Sequence, residues 1–128
     1  MILALKMLLT LGGGLLVFMG FGFFTDPVSS AADFGIDVEG AHGLTSIRAD
    51  MTAFFGVSGA CFIWGAWANR SDPLIIGAAL MFVTLATRLV ALGAYGAFEG
   101  YILPMVVEAL LGIFGIVGAR ILPKTARG

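Results

Sequence analysis

The chain has 128 residues, 59% of them hydrophobic and 12% charged, with a formal net charge of −1 and one cysteine; its mean hydropathy is +1.03. Such a composition lies far outside the soluble globular range and reads as a single integral membrane domain, residues 1–128. It offers no basic patch for nucleic acid, and the lone Cys61 excludes both an internal disulfide and a CxxC redox pair, leaving a small buried hydrophobe.

Four apolar runs, Ile2 to Phe24, Ser46 to Asn69, Leu74 to Phe98 and Tyr101 to Leu122, each approach the ~20 residues of a spanning helix. The predicted fold is an all-α integral membrane protein, an up-down four-transmembrane-helix bundle whose first partner is the lipid bilayer. In the first run, Lys6 and the small residues Ser29-Ser30-Ala31 imitate a signal peptide. The apolar stretch from Met7 to Phe24 exceeds the usual h-region, so a retained helix is expected. Gly12, Gly13, Gly14, Gly20 and Gly22 give it smooth surface for a close neighbour.

The segment 25–45 is the one substantial loop. Asp26, Asp33, Asp37, Glu39 and His42, with no Lys or Arg, make it acidic, and Pro27 interrupts the helix. Lys6, Arg70, Arg120, Lys124 and Arg127 fall on the opposite side of a four-span zigzag, which puts both termini in the cytoplasm by the positive-inside rule. Trp64 and Trp67 then form an aromatic anchor at the inner surface.

In the second run Arg48, Thr52, Gly56, Gly59 and Ile63 share one side, which is expected to pack inward; Asp50 lies about 200° away from Arg48 at about 100° per residue. The third run places Thr84, Arg88, Ala91 and Tyr95 on a common stripe turned from lipid, and the fourth aligns Tyr101, Pro104, Glu108, Gly112, Gly115 and Ala119. An arginine inside such a run requires a partner. Counting about 1.5 Å per residue, Arg88 lies about 21 Å from the start of its span, and Glu108 about 10 Å back from the far face, so the two reach one depth. Arg88 and Glu108 are therefore expected to pair in the outer half of the bundle. The candidate polar cluster comprises Arg48, Arg88, Glu108, Asp50, Thr84 and Tyr95.

Catalytic, metal and cofactor chemistry find no support. His42 is the only histidine and sits in the loop, so haem ligation between spans is not available. Asp33, Asp37, Glu39 and His42 lack EF-hand spacing, Ser29, Ser30 and Ser46 lack a triad context, and Gly112, Gly115 and Gly118 lie inside an apolar helix rather than a phosphate loop. The first expectation is an integral membrane protein without catalytic apparatus, an accessory or assembly subunit alone or with other membrane subunits or copies of itself, in which the Arg/Glu cluster fixes helix register. The alternative is a membrane ligand-binding or redox-linked protein that holds the polar head of an amphiphile such as a quinone, isoprenoid or lipid. A small proton-coupled transporter ranks third, because a neighbouring arginine keeps a glutamate ionised.

Three segments, Ser46-Ile47-Arg48-Ala49-Asp50 leading to Phe54-Phe55-Gly56, Arg88-Leu89-Val90 and Val107-Glu108, together resemble the bacterial membrane proteins grouped as domain of unknown function 4345, over about Gly13 to Leu122. The resemblance implies a four-span inner-membrane protein with recurring Arg, Arg and Glu positions, here Arg48, Arg88 and Glu108. Thr87 replaces the glycine expected before the arginine, and Tyr95 stands near where aspartate is frequent, so no acidic end to the third helix is implied. A looser similarity to DoxX-like membrane proteins puts quinone first among the ligands it suggests, by analogy of fold.

Overall fold

The computed structural model describes residues 1–127, with side chains through Thr125; the side chain of Arg127, one of the tail charges, lies outside the described residues. Five helices follow in order, α1 (Ile2–Thr25), α2 (Pro27–Ala32), α3 (Gly40–Ala68), α4 (Ser71–Tyr95) and α5 (Ile102–Arg127). There is no strand among the described residues. All but α2 are long and apolar enough to cross a membrane, and each satisfies its backbone groups internally, as hydrocarbon demands. The fold is an all-α, up-down four-helix membrane bundle.

Two close pairs build it, α1 with α3 and α4 with α5. Between α1 and α3 the backbones touch: a Cβ on Gly13 would stand 2.7 Å from the Gly59 carbonyl oxygen, and one on Gly20 would stand 3.0 Å from the Gly56 nitrogen. The α4–α5 seam is glycine against bulk, with Gly112 under the Phe82 ring and Gly115 beside Ala78 and Phe62. Glycine is required at these places because lipid gives helices little hydrophobic reason to associate, leaving van der Waals contact at short range as the main attraction.

At the end that holds both termini, the pairs close on one another. Phe62, Leu9, Leu74 and Leu122 are fully buried there, with Gly118 against Leu9 and Leu74 and Gly77 against the Phe62 ring. Trp67 Nε1 donates to Thr10 Oγ1 at 2.7 Å. Lys6 lies 5.4 Å from the Trp67 ring centre and Arg70 5.5 Å from that of Trp64, so each tryptophan carries a cation on its face. The outer surface is apolar, with Phe18, Phe21, Val83, Val90 and Leu103 exposed; a surface of this kind fits lipid rather than water.

Four departures of the helix limits from the sequence expectation have a local cause. The segment 25–45 is not all loop: Pro27 ends α1 but also starts α2 at a position where a missing N–H costs nothing, and the Asp26 side chain accepts from Ser29 N–H at 3.2 Å. Gly35, at φ 71, closes α2 and turns the chain so that Phe34 packs against Phe23 and Phe55, with ring centres 5.8 and 5.9 Å away. α3 begins at Gly40 rather than Ser46, held where Val38 packs over Gly43 and the Gly43 N–H donates to the Glu39 carbonyl at 3.2 Å. α4 ends at Tyr95 rather than Phe98 because Gly96 takes φ 81. α5 runs on through Pro123, and Thr125 Oγ1 donates to the Leu122 carbonyl at 2.7 Å near that proline.

These contacts separate glycines that matter from one that does not. Gly59→Val, which drives a side chain into Gly13 and Val17, is expected to lower stability by about 1–3 kcal/mol. Gly14→Ala, where nothing lies within 4 Å, is expected to change it by no more than about 0.5 kcal/mol. Unfolding midpoints in mild detergent measure both.

Candidate functional site

Arg88 and Glu108 occupy facing positions on the antiparallel α4 and α5. Each lies about 10 Å in from the end that carries α2, at about 1.5 Å per residue. Arg88 Nε donates to Glu108 Oε1 across the seam, closing an ion pair between residues 20 positions apart. Glu108 is 6% exposed, and the Arg88 side chain retains 32% of its surface. Glycine explains the burial of the acid: Glu108 heads the face that continues through Gly112, Gly115 and Gly118, all of which face neighbouring helices, so its carboxylate is drawn into the seam with them. A charge in hydrocarbon is tolerated when it is paired, and here each neutralises the other.

The other members of the expected cluster stand elsewhere. With Gly13 meeting Gly59 and Gly20 meeting Thr52 and Gly56, the antiparallel register puts Arg48 level with the C-terminal end of α1. There is no helix surface opposite to bury it, so it is exposed and has no ion pair among the described residues. Its small-residue face does pack inward, one turn further along. Asp50 is exposed. Tyr95, in the last turn of α4, is 86% exposed. Thr84 is half-buried, but its hydroxyl donates to the Leu80 carbonyl of its own helix at 2.7 Å.

Instead, Arg88 and Glu108 border a cavity of about 550 Å³ between the two helix pairs. Its walls are Leu15, Leu16, Phe18, Met19 and Phe23 of α1, Phe54 and Phe55 of α3, Met81 of α4, and Leu103, Pro104 and Val107 of α5. Ser30 of α2, with Asp33 and Phe34 just after it, lines the loop end. The volume is that of a small-molecule site, and a few polar groups at one end of an apolar chamber suit an amphiphile. Arg88 also borders a second hollow, of about 90 Å³, with Ala91, Leu92, Phe98, Tyr101 and Met105. Asp33, Asp37, Glu39 and His42 do not gather: no three His, Cys, Asp or Glu side chains converge on a metal-sized site among the described residues.

The chemistry on offer is hydrogen bonding without net charge. Glu108 Oε2 is buried and receives no hydrogen bond. The Arg88 terminal amino groups have no protein acceptor among the described residues. Oε2 is closed off within the seam, so the cavity end is bordered by an ion pair whose unused donors belong to Arg88. Ser30 and Asp33 were missed as site residues because their position depends on α2 folding back; the signal for that turn was Asp26-Pro27 with Ser29 two residues on, and Gly35 after it.

Fold and site together define a four-helix membrane bundle with an internal ion pair beside an amphiphile-sized chamber. Comparison with protein-family models, with curated proteins and with solved structures returned no match.

Removing one member of the pair is expected to cost more than removing both. Arg88→Leu leaves a buried carboxylate unpaired and is expected to destabilise by about 3–5 kcal/mol, whereas Arg88→Leu with Glu108→Leu is expected to recover more than half of that loss. Detergent-unfolding midpoints of the two single variants and the double variant measure the coupling; additive losses would show that the two residues do not interact.

Proposed function

We propose that this protein holds an amphiphilic molecule in the bilayer, with the polar head at Arg88 and Glu108 and the tail among the aromatic and aliphatic walls of the cavity. The observation that carries this reading is the cavity itself, apolar over most of its lining and polar where the ion pair borders it. An ion pair that only fixed helix register would be served equally well by a closed seam, and the α4–α5 seam is closed by glycines elsewhere along its length. The protein acts as a carrier or accessory component that presents its ligand, with no reaction assigned to it. Membership of the four-span family that the Arg48, Arg88 and Glu108 segments resemble is part of the same proposal.

The orientation proposed is termini inward in a bacterial inner membrane. Lys6, Arg70, Arg120 and Lys124 lie toward the terminal end, while Asp26, Asp33, Asp37, Glu39 and Glu99 lie toward the other. Positive charge is retained on the cytoplasmic side during insertion. On that orientation the cavity opens toward the outer leaflet.

Two measurements test this reading. Protein purified in mild detergent is expected to retain an amphiphile at near-equal stoichiometry in extracts analysed by mass spectrometry, and Val107→Trp, which fills the cavity, is expected to reduce it severalfold at unchanged helical content. An empty wild-type chain that instead brings down a larger membrane partner would move the assignment to an assembly subunit. For orientation, green fluorescent protein fused after the last residue should fluoresce and alkaline phosphatase fused there should be inactive; the opposite pattern would invert the topology.

A further inference from the structure

We infer that the chamber is filled sideways from the bilayer, through a slot between α1 and α5, and that its occupant is a lipid-phase molecule whose hydrocarbon chain runs out through that slot into the loop-side leaflet. This rests on the cavity reading above and adds the route of entry and the class of chain.

Around the bundle the helices follow the order α1, α3, α4, α5, with α1 and α4 at opposite corners. The chamber therefore has two lateral sides between the helix pairs, one between α3 and α4 and one between α1 and α5. They differ in what they show to the outside. On the α3–α4 side the wall residues Phe54, Phe55, Met81 and Arg88 are buried or half-buried, Met81 keeping 1% of its surface. On the α1–α5 side Leu15, Phe18 and Leu103 line the chamber and are exposed as well, Phe18 and Leu103 at 72% each. A side chain that borders an internal space and the outer surface at once stands on the rim of an opening.

Helix geometry puts all three on the outward edges. At about 100° per residue, Leu15 and Phe18 lie about 150° around α1 from Gly13 and Gly20, which meet α3. Leu103 lies about 180° around α5 from Gly112, which meets Phe82 of α4. The slot is confined to the loop half, because nearer the termini α1 and α5 close on each other where Gly12 meets Leu111 and Gly118 meets Leu9.

The surroundings select the occupant. A chain entering at the loop end would leave hydrocarbon and pass the exposed Asp33 carboxylate. Through the slot it stays among apolar side chains throughout and loses no favourable contact with an apolar phase. A sealed chamber of this volume would limit the length of its ligand. A slotted one holds the head and the first part of the chain and leaves the remainder in the leaflet, so it takes long lipid chains without measuring them.

The test uses the full chain reconstituted in phosphatidylcholine vesicles with a monoacylglycerol whose stearoyl chain carries a mid-chain diazirine. After irradiation, mass spectrometry of peptides is expected to find label on Phe55 and Met81, buried residues across the chamber from the slot, as well as on lipid-facing Val83 and Val90. Leu15→Phe with Leu103→Phe narrows the slot and is expected to cut the Phe55 and Met81 label severalfold, with the Val83 and Val90 label unchanged. Should that variant fail to fold, the wild-type chain decides through its chain-length dependence: in mild detergent, dissociation constants for monoacylglycerols from lauroyl to behenoyl, read by native mass spectrometry, are expected to fall with length and then level off. A sharp loss of binding for the longest chains would indicate a sealed chamber and overturn the slot. Label confined to Val83 and Val90 in the wild-type chain would overturn it too, as would chamber label that survives the narrowed slot and disappears when Ser30→Trp blocks the loop end. Each of those outcomes leaves the cavity reading standing. Absence of chamber label together with unchanged amphiphile retention in Val107→Trp would remove the cavity reading as well.

Discussion

The bond between Arg88 and Glu108 is the constraint on which the loop half of this bundle depends. In hydrocarbon an unpaired guanidinium or carboxylate is far more costly than the van der Waals contacts that otherwise join two helices. Any sliding or rotation of α4 against α5 that separates the pair is therefore opposed. The glycines at 112, 115 and 118 let the helices approach closely, and the pair selects which of the many close approaches is adopted. Packing supplies most of the contact, and charge supplies the register.

A division of labour follows along the bundle axis. At the terminal end, large side chains such as Phe62 and Leu74 interlock with glycines on the facing helices, and all four spans meet. Toward the other end the α1–α3 and α4–α5 pairs keep their internal contacts but leave space between them, and the aromatic trio of Phe23, Phe34 and Phe55 forms the side opposite the ion pair. Each pair is closely packed within itself, so the chamber is a property of how the two pairs are set against each other. Its ion pair comes from one pair of helices and its aromatic wall mostly from the other, with Ser30 and Asp33 added by α2 and the turn after it.

How much of this was legible in the sequence differs by kind of signal. Arg88 and Glu108 could be matched because ionised residues inside apolar runs are rare and helical rise converts sequence number into depth. The span count needed only length and hydropathy. Arg48 lies apart from the pair although its helix face does turn inward, because the neighbouring α1 stops level with it. Tyr95 lies apart similarly, because Gly96 and the exposed turn after it leave the last turn of α4 without a neighbour. The cavity left no trace in any local pattern, since it arises from side-chain volumes of four helices meeting or not meeting. α2 was readable in principle, because an Asp-Pro pair that ends one helix is equally suited to begin the next.

One feature of α3 reaches past the bilayer. The helix has 29 residues, about 43 Å at about 1.5 Å per residue against a hydrocarbon slab of about 30 Å. With Arg48 level with the last turn of α1, the two turns before it, from Gly40, extend past the end of that helix as a short post against which Val38 packs. His42 on that post is exposed, and the post carries no side chain of the chamber. It therefore gives the otherwise immersed molecule a handle that a soluble protein, an antibody or an inserted epitope can grip without disturbing anything within the membrane.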